Sequence, residues 1–460
     1  MSRLLITEVD LDGEACDVVC DGGIVNALFS ARTAPTGGAA HRIDAGGGAV
    51  LPGIHDHHIH LLATAAAATS IDLTRVRDRT DVMQALSSAP GAGWVRAVGY
   101  DEHRHGRLDR WILDGTLSDR PVRVQHRTGA MWILNSAGCQ EVGLDVDPPP
   151  GAGRDESGRL DGTLWREDRW LGDRLPPSRP DLRAIADRLL AAGVIGVTDA
   201  TPVEMVRDWD PLVPIGHELR IHVTGSPALT GVDPPHPLRR GPVKIVLDES
   251  ELPELDTVAS WIIDAHRAGR AVAMHIVTRA TLVYAVAAWR MAGTVRGDRI
   301  EHGSVIPGEL IDEIRRLGLT IVTQPSFVVE RGDRYLATVD EDDLPHLYRC
   351  RSLLEAGIPV AGSSDAPYGP LDPWEAIHAA VHRRTRAGLP LGPEERIGVR
   401  RALDLYLGPA EHPGGPSRTV APGQPADLVV LDAPLDEVLA RPTARRVLHT
   451  IVGGHIVWSR

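Results

Sequence analysis

Phenylalanine occurs only twice in this chain and aromatic residues make up 4% of it, so no stacking pocket announces a substrate. Cysteine is sparse as well: Cys16, Cys20, Cys139 and Cys350 are the only four. Their one close pair, C-x-x-x-C, lies in the N-terminal segment, away from the histidine-rich stretch. Free thiols in a reducing cytosol are the expectation, not a disulfide framework or a zinc knot. Apolar runs of membrane-spanning length are missing, and "MSRLLITEVD" reaches Glu8 and Asp10 before any signal-peptide core develops, which points to a soluble, cytoplasmic protein. A basic block is missing too. With 49 Lys and Arg against 62 Asp and Glu, the formal net charge of −13 excludes nucleic acid and anionic membranes as natural partners. A small-molecule substrate is the remaining default, and the oligomeric state stays open, a homo-oligomer included.

What the chain has is length. Its 460 residues can bury a large core without staples, as one large domain with a smaller companion. From about 193 to 365, short apolar runs alternate with segments of helical period: "GVIGVTDA", "LRIHVTG", "GPVKIVLDE", "RAVAMHIV", "DRIEHGSVI", "LTIVTQPSF" and "IPVAGSSDAP". Continuous Val/Ile/Leu runs mark parallel strands covered on both faces, and "LDTVASWIIDAHRAG" and "GELIDEIRRLG" read as amphipathic helices stopped by glycine. The pattern predicts an α/β fold, a (β/α)8 TIM-like barrel spanning 53–404. Residues 1–52 and 405–460 are β-rich without crossover helices, predicting a small β-sandwich built from both termini. Around 70–180 an insertion is expected, mixed with one or two barrel strands, in which "RDESGRLDGTLWRED" and "DPPPGAG" read as loops.

The chemistry is announced by "GAVLPGIHDHHIHLLATA" at 48–65. Residues two apart on a strand face the same way, so His58 and His60 can aim two imidazoles at one point. His275, His302 and Asp365 each stand where a later apolar run stops. A single such histidine is readily a core residue satisfied by a carbonyl, but imidazoles and a carboxylate recurring at strand ends are the ligand set of zinc and similar divalent ions. His55 and His57 alternate with them and are expected to be structural or to orient neighbours. The cluster "GYDEHRHGR", with Tyr100 to His105, reads as a pocket rim or a solvated face.

H-x-H after Pro-Gly, single histidines on two later strands, Ser-Asp at the last and the closing "VAPGQPADLVVLD" resemble the metal-dependent amidohydrolase superfamily. The stretch "LPHLYRCRSLLEAGIPVAGSSDAPYGPLDPWEAIHAAVHR", with "VTQPSF" and "GPVKIVLDE", is similar to its amidohydrolase family three branch, which includes N-substituted formamide deformylases. The resemblance covers nearly the whole chain. It implies ligation of a divalent metal, zinc foremost with iron or manganese as alternatives, by His58 and His60 on the first strand and His275 and His302 on the fifth and sixth. Asp365, at the eighth, would accept the proton of the attacking water, with His302 as its catalytic companion. Lys244 would be either a carboxylated lysine bridging two ions or a lysine paired to a carboxylate. Glu167 in "GTLWRE" is the competing bridge, or a loop glutamate.

The chain also departs from the pattern. Ala130 in "GAMWILNS" stands where a histidine is usual, Thr278 and Arg279 replace a Gly-Asp pair, and "DES" replaces Asp-Gly-Ser at 248–250. Trp132, Gln324 and Arg279 are pocket candidates, Arg279 as a carboxylate binder or an exposed helix start. Hydrolysis of an amide, formamide or cyclic amide C–N bond is the expected reaction. Its alternatives are metal-dependent deamination of a nitrogen heterocycle and a non-catalytic metabolite-binding barrel.

Overall fold

The computed structural model describes residues 3–37, 39–177, 180–249 and 251–460, so Ser250 of the "DES" departure lies outside the described residues. The chain forms two compact units, one of residues 1–61 with 182–460 and one of residues 62–181.

In the first unit eight parallel strands run in chain order: β1 (Ile54–Ile59), β2 (Val194–Asp199), β3 (Arg220–Gly225), β4 (Arg239–Val246), β5 (Val272–Ile276), β6 (Arg299–His302), β7 (Thr320–Thr323) and β8 (Val360–Gly362). Backbone bonds beyond β8 bring the ring back to β1, with Asp365 N–H donating to His58 O at 2.8 Å and His60 N–H to Ala366 O at 2.9 Å. All of β1, β2, β6, β7 and β8 is buried, as strands covered by helices on one face and filled by side chains on the other must be. The helices Leu255–Arg267 and Gly308–Leu317 stand where their apolar spacing places them. Gly318 ends the second in the left-handed region at φ +67°, a conformation that costs glycine nothing.

The termini supply two four-stranded sheets. Strands Ile24–Ser30, Glu14–Asp21, Arg3–Leu11 and Ala39–Asp44 form one; His455–Ser459, Val447–Val452, Leu428–Leu431 and Val50–Pro52 form the other. Leu4, Ile6, Val18, Val50, Leu428 and Ile451 pack into one core between them. Burying each such side chain contributes about 1.5–3 kcal/mol, which is what makes these short strands persist. Thr450 Oγ1 donates to Leu190 O at 2.6 Å and Arg220 pairs with Asp427 at 3.1 Å, tying the sandwich to the barrel wall.

The unit 62–181 corrects the sequence reading twice. It contributes no barrel strand; its strands form their own six-stranded sheet, ordered Ala152–Arg154, Leu160–Trp165, Met131–Leu134, Val122–His126, Val95–Tyr100, Ile71–Asp72. The expected loop "RDESGRLDGTLWRED" is largely a hairpin, pairing Arg154 with Leu160 and Ala152 with Leu164. Its polar tip looks like loop because Asp155 accepts from the N–H groups of Ser157 and Arg159, a side-chain turn that clasps the strands. In "GYDEHRHGR", His105 is buried against Val76 O, and Tyr100 donates to Gly106 O, so that cluster folds its own turn.

All four cysteines are buried and unbridged. Among the described residues no helix is long and apolar enough to cross a membrane.

Candidate metal centre

Strand alternation divides the histidines of β1 into two groups. The rings of His55 and His57 lie 4.7 Å apart, tilted at 49°, and His55 meets the His222 ring at 5.6 Å. His55 Nε2 bonds Thr198 Oγ1 at 3.1 Å, and His222 Nε2 bonds Glu411 at 3.1 Å, so these residues pack the barrel interior on their own account. Asp56 works differently. Its Oδ1 accepts from the N–H groups of Ser364 at 3.0 Å and His58 at 3.2 Å, joining the first strand to the segment after the last. Burial pushes its carboxyl up to about 6.

His58 and His60 turn the other way and meet Asp365. Their Nε2 atoms lie 3.5 and 3.4 Å from Asp365 Oδ1, and the three potential ligand atoms all fall within 4.8 Å of one another. His302 approaches from β6, its Nδ1 3.8 Å from Asp365 Oδ2, its ring 4.8 Å from that of His58. His275 on β5 joins this edge through a 2.9 Å contact between its Nδ1 and His302 Nε2. Both His302 and Asp365 sit at positive φ, +69° and +51°. Left-handed non-glycine residues carry local strain that surrounding structure must hold, and here the conformation turns each side chain off its strand end.

Three of the four imidazoles are held from behind. His58 Nδ1 lies 2.5 Å from Glu301 Oε2, His60 Nδ1 3.1 Å from Thr201 Oγ1, and His302 Nδ1 3.0 Å from Gln324 Oε1. The Gln324 amide is itself oriented, since its Nε2 donates to Ser363 Oγ, which donates to Thr323 O. Where Nδ1–H donates to these acceptors the lone pair falls on Nε2, the atom that His58 and His60 turn toward Asp365. Burial first, then Lys244 and the other imidazoles of the centre, hold His58 and His302 well below the usual imidazole range.

Glu301 is the residue that sequence reasoning missed. It is wholly buried, accepts from Arg299 Nε at 2.6 Å, and thereby forms a line Arg299, Glu301, His58 beneath the centre. Its signal lay in "DRIEH", masked by the histidine beside it.

The donor atoms fit a divalent ion. His58 Nε2 and Asp365 Oδ1 are buried and lack any hydrogen-bond partner, an arrangement that costs free energy unless something else satisfies them. Lys244 shares this condition. It is 3% exposed on β4, its Nζ has no partner, and burial lowers its ammonium to about 8. Of the two alternatives for Lys244, a carboxylated bridge or a lysine paired to a carboxylate, no ion pair of the second kind forms among the described residues.

The remaining candidates stand elsewhere. Gln324 is 0% exposed and braces His302 where a pocket-facing residue was expected. Arg279 opens the helix Arg279–Ala292 behind the Thr278 cap, pairs with Glu309 and Asp343, and edges a surface groove of about 880 Å³ with Val283 and Tyr284. Trp132 and Glu167 belong to the unit 62–181. There Trp132 Nε1 donates to Asp168 at 2.8 Å, and Glu167 accepts from Gly151 N–H at 2.8 Å.

Known proteins resemble this chain over nearly its whole length. An N-substituted formamide deformylase from Arthrobacter pascens is 26% identical, over 96% of this chain and 95% of its own. Two solved structures described as uncharacterized metal-dependent hydrolases share the fold. That from Pyrococcus horikoshii has a TM-score of 0.74 at 19% identity, covering 94% of this chain and 97% of its own. The one from Pyrococcus furiosus has a TM-score of 0.73 at 22% identity, with 94% and 99% covered. The model of the Amidohydrolase family matches residues 42–458, nearly the whole length, and the chain belongs to that family.

Proposed function

We propose that this enzyme hydrolyses an amide, formamide or cyclic amide C–N bond of a small molecule, with His58, His60, His275, His302 and Asp365 holding divalent metal, zinc foremost, and that it works in the cytoplasm. The observation that carries the reading is the convergence of His58 Nε2 and His60 Nε2 on Asp365 Oδ1, at 3.5 and 3.4 Å. When bound, a divalent ion acidifies water and polarises the carbonyl under attack. Asp365 then accepts the proton of the attacking water and returns it to the leaving nitrogen. Gln324 keeps His302 in one tautomer throughout, and Glu301 does the same for His58.

Lys244 adds a second element. Of the 49 Lys and Arg residues it is the only lysine. An arginine would meet any need for positive charge, whereas a primary amine can add carbon dioxide, forming a carbamate with loss of a proton. Such a carbamate would turn an unpartnered buried cation into a bridging carboxylate for two ions. Two ions joined by a bridge favour amide hydrolysis over deamination, which works commonly with one.

Elemental analysis of protein purified without added metal or chelator tests this, together with hydrolysis of N-formyl, N-acyl and cyclic amides. Two equivalents per chain and amine release from the panel are expected. One equivalent with ammonia release from heterocycles would replace the reading by deamination, and no binding of zinc, manganese or iron would overturn it. Because the chain has one lysine, labelling with 13C-bicarbonate should give a single side-chain carbamate resonance, absent in Lys244→Arg.

A further inference from the structure

The helix Phe327–Thr338 follows β7 and carries Arg331, a half-buried cation in an aromatic setting. Its guanidinium lies 3.6 Å from the centroid of the Phe327 ring, one helical turn earlier. Tyr335, one turn later, contacts the Tyr348 hydroxyl at 3.0 Å, and Ser304, two residues beyond His302, donates to that same hydroxyl at 3.0 Å. Apolar Val305, Val328 and Leu347 complete the surroundings.

The fully buried arginines of this unit are bonded to protein groups, Arg270 to the carbonyls of Gly241, Leu229 and Pro242. Arg299 pairs with Glu301, and Arg383 donates to the carbonyls of Leu391, Tyr348 and Leu347. Arg331 Nη2 donates to Tyr368 O at 3.1 Å, yet among the described residues no carboxylate forms an ion pair with Arg331. Asp365 favours its charge from beyond ion-pair distance, and the planar fork of a half-buried guanidinium with no direct ion-pair partner matches one ligand chemistry best, a carboxylate or similar oxyanion.

Its position relates it to the candidate centre. The Tyr368 carbonyl that Arg331 holds belongs to the turn that begins at Asp365, closed by the 2.8 Å bond from Tyr368 N–H to Asp365 O. The Tyr368 ring stands edge-on to His60 at 6.0 Å. Arg331 and the proton-accepting carboxylate are thus fixed to the two ends of one tight turn.

We propose that Arg331 anchors a carboxylate of the substrate, so that the C–N bond cleaved belongs to a small molecule bearing an anionic group, such as an N-formyl or N-acyl amino acid. This rests on the hydrolase reading above. Phe327 and Tyr335 flank the guanidinium so that its free edge meets the ligand, and the turn sets its distance from Asp365.

The test uses the protein as purified, with benzoate and its neutral isostere benzamide as probes by calorimetry, and an N-formyl amino acid with its carboxamide as substrates. Benzoate is expected to bind about ten- to a hundredfold more tightly than benzamide, and Arg331→Met to erase that preference while Arg331→Lys keeps part of it. In turnover, Arg331→Met should raise KM for the carboxylate substrate about ten- to a hundredfold more than for the carboxamide, so that the preference for the anion is lost whatever the variant does to turnover in common. Equal binding of the two probes, or a preference that survives in folded Arg331→Met, overturns the proposal. Should Arg331→Met not fold, wild type and Arg331→Lys decide it by the same preference. If formamides and amides are turned over without any preference for the anion, this proposal falls and the hydrolase reading stands. If no member of the panel is hydrolysed by metal-loaded protein, both fall.

Discussion

His58 Nδ1 and Glu301 Oε2 lie 2.5 Å apart in a fully buried site, and Arg299 closes on the other oxygen of the same carboxylate. A carboxylate so placed fixes the ring plane of His58, raises its basicity and points Nε2 toward Asp365. Glu301→Gln keeps an acceptor but loses the charge. We expect metal affinity about 10- to 100-fold weaker by chelator competition, with far-UV circular dichroism unchanged. Unchanged affinity would reduce Glu301 to a counter-ion for Arg299.

Asp365 is the acid whose removal should strike catalysis and not the fold. Among the described residues its Oδ1 has no hydrogen-bond partner, while its backbone N–H carries the bond to His58 O. Asp365→Asn is therefore expected to lower kcat by about 10²- to 10⁴-fold, the range for a lost general acid–base, with the urea midpoint nearly unmoved. Near-normal kcat would assign the proton transfer to another group, His302 first.

Much of the fold was readable because parallel strands buried on both faces must be continuous apolar runs, and all seven runs from "GVIGVTDA" to "IPVAGSSDAP" became β2 to β8. That His58, His60, His275, His302 and Asp365 stand near one another was readable for a related reason: residues where such runs stop share one mouth of a barrel. Glu301 was hidden because strict alternation turns it away from whatever His302 faces, and the positive φ of His302 breaks that alternation. Arg331 was hidden because its meaning depends on Phe327 one helical turn away and on a carbonyl of a distant turn. The sheet in 62–181 was hidden because its strands run from two to six residues and several are half polar, too short for periodicity to speak.

Gly196 offers a test of packing inside the barrel wall. A Cβ there would meet His55 Nδ1 at 2.7 Å and Arg220 O at 3.1 Å, one a ring in a buried histidine cluster and the other backbone. Neither can move far, so Gly196→Ala should cost about 1–3 kcal/mol in urea unfolding. A neutral result would show that the His55 cluster is loosely packed.

Lys244 makes the last prediction one about pH. In chelator-treated protein free of carbon dioxide its ammonium is lowered from 10.5 to about 8, so between those values the unfolded chain holds a proton that the folded chain has lost. Stability must then rise with pH across that window, and below about 8 the penalty for burying the charge is present in full. The amount at stake is on the order of 3 kcal/mol. Lys244→Met removes the group. The stability difference between variant and wild type, from urea unfolding at pH 7 to 10, should favour the variant at pH 7 and shrink steadily as pH rises. A difference independent of pH would mean that the folded protein satisfies this ammonium after all, and would remove the physical reason for its carboxylation.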